Sequence, residues 1–218
     1  MTPESVSIND AAEFTSSTAV SIEIIGPGAW KGTMGAATRA EVSNDGGFKS
    51  SKFFDLSNSK ATVDWVLESS REGTFTKIVY VRFWNCYGAP AFGSAPLTDD
   101  IILDNTKPVV GSLQAVVSTT KGGVEVSRVS LSSTKTSSVR LSVRGSDSIS
   151  GVGSIEVRSN ARRAGTVVNV GGATGAVSSK VRSMAKSVVL STSAKQLQVR
   201  LLDRAGNASP WKSISVTS

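Results

Sequence analysis

The sequence predicts an all-β protein built as two tandem antiparallel β-sandwiches, and three observations point there. Short apolar stretches alternate with period two at intervals of roughly 8–12 residues, the mark of strands with one buried face. No stretch sustains the 3.6-residue apolar period of an amphipathic helix. A strand-and-turn pattern is written twice. In Leu197 to Trp211, Leu197, Val199 and Leu201 alternate with Gln198 and Arg200 before the turn Asp203-Arg204-Ala205-Gly206-Asn207. In Val79 to Pro90, Val79, Val81 and Phe83 take the same register before a turn carrying Asn85 and Gly88. Val79 and Leu197, Arg82 and Arg200, and Gly88 and Gly206 are each 118 positions apart.

Taken in order, Val6-Ser7-Ile8-Asn9 is the first strand, and a polar link from Asp10 to Thr18 leads to Val20-Ser21-Ile22-Glu23-Ile24. Gly26-Pro27-Gly28 breaks that strand, and a loop carries Trp30 and Met34. Ala40-Glu41-Val42-Ser43 follows, closed by the turn Asn44-Asp45-Gly46-Gly47, where glycine accepts unusual dihedrals and Asx side chains bond nearby backbone. Phe53 to Leu56 reads as a short edge element. Val63, Trp65 and Leu67 share one face of the next strand, and Lys77 to Trp84 is a long one. Asp100 to Asp104 completes the first module. Pro108 stiffens the joint Asn105-Thr106-Lys107-Pro108 and biases Lys107 to extended backbone. The domains are therefore drawn as residues 1–107 and 108–218. In the second, Ser112 to Val116, Val124 to Leu131, Val139 to Val143, Ser154 to Arg158, Ser187 to Leu190, Leu197 to Leu201 and Ser213 to Val216 read as strands. The turn Asp147 to Val152 includes Gly151, and residues 161–186 read as a loose hairpin or long loop.

Composition narrows the chemistry. The chain has 218 residues, enough for two sandwiches of roughly 110 residues, each able to bury a core without staples. No apolar run approaches the roughly 20 residues of a membrane helix. The opening MTPESVSIND shows neither a basic leader nor an apolar signal core. There is no histidine, so imidazole-based triads and the common zinc sites are excluded. The single Cys86 allows no internal disulfide and reads as a small apolar residue near a strand end.

The formal charge of +7 is divided unevenly. Residues 1–108 carry 9 Lys/Arg against 13 Asp/Glu, and residues 109–218 carry 15 against 4. Every Phe and Tyr and three of the four Trp lie in the acidic half, leaving Trp211, read as core, in the basic one.

Several stretches resemble a known family. VSINDAAEFTSSTAVSIEI (6–24), EVSNDGGF (41–48), TKIVYVRFWN (76–85) and DIILDNTKP (100–108) resemble bacterial Ig-like repeats. VRLSVRGSDSISGVGSIEV (139–157) and VRLLDRAGNASPW (199–211) resemble a related repeat, whose hallmarks are a D-x-x-S-G-V turn and a D-x-A-G-N turn. The resemblance implies immunoglobulin or fibronectin-III-like modules of secreted, cell-surface or phage-particle proteins. It is nearly silent on activity, because one sandwich hosts many roles. The first module departs from it, with Asn85-Cys86-Tyr87-Gly88-Ala89 at the D-x-A-G-N position.

Candidate sites are few. Asp99, Asp100 and Asp104 are oxygen donors of the type calcium takes, but neighbouring strand residues face opposite ways, so they read as solvated edge charges. Asn44, Asp45, Gly46, Asn85, Gly88, Asp147, Gly151, Asp203, Gly206 and Asn207 read as structural turn residues. No metal and no cofactor is expected. Gly171 to Gly175 lacks the lysine and strand-to-helix setting of a phosphate loop. Asn207-Ala208-Ser209 fits a glycosylation pattern, but its Asn belongs to a turn.

The sequence thus predicts a non-enzymatic structural or adhesive module of an extracellular, cell-surface or virion-surface assembly. The loops 25–40 and 161–186 would be displayed on rigid sandwiches. Trp30, Met34, Arg162, Arg163, Lys180, Arg182 and Lys186 are the expected contact residues. The expected partners are other protein subunits, copies of this chain, or an anionic polysaccharide. Sequence-specific nucleic-acid binding is disfavoured for want of a reading element or stacking aromatics. The alternatives are a carbohydrate-binding accessory domain, in which Trp30 or Tyr87 stacks on sugar, and a phage tail or virion decoration.

Overall fold

The computed structural model describes residues 4–28, 35–69, 75–91, 95–117, 128–130, 137–159, 166–169, 183–192 and 194–216. It is all-β and divides into two compact units, Met1–Asp104 and Asn105–Ser218.

In the first unit the strands are β1 (Ser5–Ile8), β2 (Phe14–Thr15), β3 (Ala19–Ile25), β4 (Arg39–Ser43), β5 (Ser51–Asp55), β6 (Lys60–Val66), β7 (Thr76–Trp84) and β8 (Leu97–Leu103). They form a three-stranded sheet, β1-β3-β6, and a five-stranded sheet, β2-β8-β7-β4-β5. All pairings are antiparallel except β2 with β8. The alternation read from sequence sets which side chains are inside. Val79, Val81 and Phe83 of β7 meet Ile22, Ile24, Val63 and Trp65 from the other sheet in one buried cluster. That is the packing of a β-sandwich.

The second unit contains β9 (Val109–Val117), β10 (Arg128–Ser130), β11 (Ser137–Ser146), β12 (Val152–Arg158), β13 (Thr166–Asn169), β14 (Ser183–Thr192), β15 (Gln196–Asp203) and β16 (Lys212–Ser215). Its sheets are β10-β14-β11-β9 and β13-β12-β15-β16. Val139, Leu141, Val143, Val188 and Leu190 from one sheet pack on Ile155, Val157, Leu197, Val199 and Leu201 from the other. The strand orders repeat: β9-β11-β14 has the plan of β1-β3-β6, and β16-β15-β12-β13 that of β8-β7-β4-β5. The 118-residue spacing is therefore a repeat of topology as well as of residues.

Several sequence expectations need correction. The polar link Asp10–Thr18 contains β2, whose Phe14 and Thr15 are buried beside Ile102 and Leu103. A two-residue strand is too short to show an alternation. Residues 161–186 contain β13 and the start of β14. Cys86 lies just beyond Trp84, near a strand end as expected, but it is exposed in the turn rather than packed as an apolar residue. Trp211 is half-buried rather than core, for a reason given below.

Candidate functional site

Both units repeat one arrangement on the outward face of a sheet. Glu41 of β4 is the cross-strand partner of Arg82 of β7, and Glu156 of β12 that of Arg200 of β15. Directly opposite residues share a sheet face and lie close enough to pair. Arg82 Nε donates to Glu41 Oε2 at 2.6 Å, and Arg200 Nε to Glu156 Oε2 at 2.6 Å. In each case an indole sits beside the guanidinium. Trp84 Nε1 donates to Glu41 at 3.0 Å, with the Arg82 guanidinium 5.4 Å from its ring and 4.1 Å from that of Phe48. Arg158 and Arg200 lie 3.8 and 4.6 Å from the Trp211 ring, which cation–π attraction favours. That is why Trp211 is held at the surface, although nothing in its flanking residues sets it apart from a core residue.

The Glu41 carboxylate is almost wholly buried, with Ser51 Oγ also donating to it at 2.7 Å. Burial alone would push its carboxyl up, but the bonds from Arg82, Ser51 and Trp84 outweigh burial and hold it below its ordinary 4.5. Phe48 accepts a φ of 53° just after the Gly46-Gly47 turn that precedes β5. Asp45 shapes that turn, its Oδ1 accepting from Gly47 N at 2.9 Å. Asn44 accepts from Trp65 Nε1 at 2.8 Å and donates to the Val66 carbonyl at 3.0 Å. Beside them is an open cleft of about 380 Å³ lined by Asp45, Asp64, Glu68, Lys52 and Trp65, more acidic than basic.

The turns after β7 and β15 also repeat. Asn85 N donates to Ala89 O and Gly88 N to Asn85 O; Asp203 N donates to Asn207 O and Gly206 N to Asp203 O. Gly88 has φ 75° and Gly206 φ 94°, a region side chains avoid. Asn85 Oδ1 accepts from Tyr87 N and Ala89 N, and Asp203 Oδ1 from Asn207 N. Beside the second turn, Asp147 Oδ1 accepts from Ile149 N and Gly151 N, and Gly151 O accepts from Arg204 N.

Of the contact residues expected from sequence, Trp30, Met34, Arg162, Arg163, Lys180 and Arg182 lie outside the described residues, as does Gly171 to Gly175. Lys186 is the cross-strand partner of Val143 and so stands half-buried on the core face of β14. Asp99 Oδ2 accepts from Ile8 N at 2.7 Å and Asp100 is exposed, so these two are split between two faces, whereas Asp104 is fully buried and is not the solvated edge charge expected. Tyr87 is 79% exposed in its turn. Two residues with no part in the sequence expectation are exposed on the outward face of β11, Arg140 and Arg144. Their alternation with Val139, Leu141 and Val143 was the available signal. No helix among the described residues is long and apolar enough to cross a membrane. No protein-family model matches the chain, and no curated protein matches it.

Proposed function

We propose that the chain is a structural or adhesive module of an extracellular or particle-surface assembly, made of two tandem Ig-like sandwiches. On this reading it holds loops in place and makes salt-dependent contacts through its basic second unit, without catalysing a reaction. The observation that carries the reading is the duplication itself. Sheet order, the buried Glu–Arg pair and the glycine turn all recur, as they do when a rigid module is used in series. Arg140 and Arg144, with the exposed Val116 opposite Arg140, offer a cationic strand face. The acidic cleft beside Asp64 and Glu68 offers a complementary surface on another copy. A contact between unlike surfaces can propagate head to tail.

Static light scattering against salt tests this. Species larger than the single chain are expected at low ionic strength and should dissolve by about 0.5 M salt, where the screening length falls to roughly 4 Å. Arg140→Glu with Arg144→Glu should abolish them. A size independent of salt and of these substitutions overturns the electrostatic assembly. The exposure of Tyr87 favours a second reading, a sugar-stacking module, and glycan binding that survives high salt would support it.

A further inference from the structure

Two acidic side chains are buried side by side in the second unit, at a turn where the first unit uses an amide. Asp147 and Asp203 are each 5% exposed. A carboxylate oxygen of one lies within 4.8 Å of a carboxylate oxygen of the other. Asp203 Oδ1 accepts from Asn207 N and its Oδ2 from Asn207 Nδ2, both at 2.8 Å. Asp147 spends only Oδ1 on its turn, with Gly151 N at 2.8 Å. Its Oδ2 is buried with no hydrogen-bond partner, and Asp147 makes no ion pair among the described residues. A buried anionic oxygen without a donor is costly, and a second carboxylate beside it adds repulsion.

Turn formation does not explain the charge. Asn85, 118 residues before Asp203, closes the same turn with the same backbone bonds, so a neutral amide is sufficient there. The backbone bonds of the turn therefore do not need the negative charge at Asp203, whose Oδ2 serves the Asn207 side chain there, and Asp147 Oδ2 is surplus to its own turn.

We infer that Asp147 and Asp203 hold a hard divalent cation of the calcium class. The donors are oxygens alone, which suits calcium or magnesium rather than softer metals. An ion at 2.3–2.6 Å from each of two oxygens fits a separation up to about 4.8 Å. It balances the paired charge and supplies the partner that Asp147 Oδ2 lacks. The ion ties the β11–β12 turn to the β15–β16 turn, alongside the Arg204 N to Gly151 O bond of 3.1 Å. This departs from the expectation of no metal, in which both aspartates were turn caps only. It does not depend on the assembly reading.

The test uses the full chain and calcium chloride alone as the probe. In saturating calcium the melting midpoint of the second unit should rise by roughly 5 °C or more over that in EDTA, since a ligand bound only to the folded state stabilises it. Titration calorimetry should show a single binding event. Asp203→Asn copies the residue found at Asn85, so it should fold, lose the shift and weaken calcium binding at least tenfold. Asp147→Asn should do the same while keeping Oδ1 for its turn. In EDTA, Asp203→Asn should be no less stable than the native chain. An identical midpoint in calcium and EDTA with no binding heat overturns the site. So does a full shift retained by Asp203→Asn, even if Asp147→Asn fails to fold.

Discussion

Replacing Gly145 by alanine is expected to destabilise the second unit by about 3 kcal/mol, at the upper end of what overpacking costs. Gly145 lies where the β9–β11 register shifts between Arg144 and Gly145, a bulge that draws the backbone inward. An added Cβ would collide with the Leu201 side chain and stand 2.6 Å from the Val109 carbonyl oxygen. Leu201 can change rotamer only into a packed core, and the carbonyl belongs to a paired strand, so neither neighbour gives way cheaply. Gly206→Ala is the control: its φ of 94° is unfavourable, but nothing lies within 4 Å of the new methyl. That change should cost only about 1 kcal/mol. Urea denaturation of both variants checks the ranking, and equal costs would mean that the close approach at Gly145 is not real.

Glu41→Ala is expected to cost the first unit about 2–3 kcal/mol. Removing one partner of a buried ion pair commonly costs more, but the Arg82 side chain is 44% exposed and can turn to water. The loss falls mainly on Trp84 Nε1 and Ser51 Oγ, which lose their acceptor. Glu41→Gln keeps one acceptor oxygen for Arg82 and Trp84 Nε1, while its amide NH2 faces Ser51 Oγ, a hydroxyl that can turn to accept, so it should cost about 1 kcal/mol. The pH dependence has a definite sign. The folded carboxyl sits below its ordinary 4.5, so its contribution is present above that value and is lost as pH falls through the lower folded value. Unfolding midpoints of the native chain should therefore drop below pH 4.5, with a smaller drop in Glu41→Gln. A native midpoint flat across that range would contradict the pairing.

Much of the framework was legible in the chain. Val79, Val81 and Phe83, and Leu197, Val199 and Leu201, are buried in the register that their alternation predicts, because a strand has only two faces. Gly88 and Gly206 hold the positive φ their turns require. β2 was not legible, since its two residues acquire a partner only through β8, some 88 positions away. The Glu–Arg pairs escaped for a similar reason. Glu41 and Arg82 are 41 positions apart, and nothing local marks a charged strand residue as buried until its cross-strand neighbour is known. Trp211 was misplaced because its partners, Arg158 and Arg200, come from two other strands. At Asp147 the turn motif itself was plain, but the unpartnered second oxygen and its neighbour Asp203 are facts of the folded chain.

Amide hydrogen exchange on the native chain and the two destabilised variants tests most directly whether this chain is one sandwich plan built twice, each copy around its own core. Slow amides are expected in β3, β4 and β7 and again in β11, β12 and β15. Glu41→Ala should speed exchange in the first group and spare the second, and Gly145→Ala the reverse. Loss of protection in both groups from either substitution, or an absence of slow amides in one group, would contradict it.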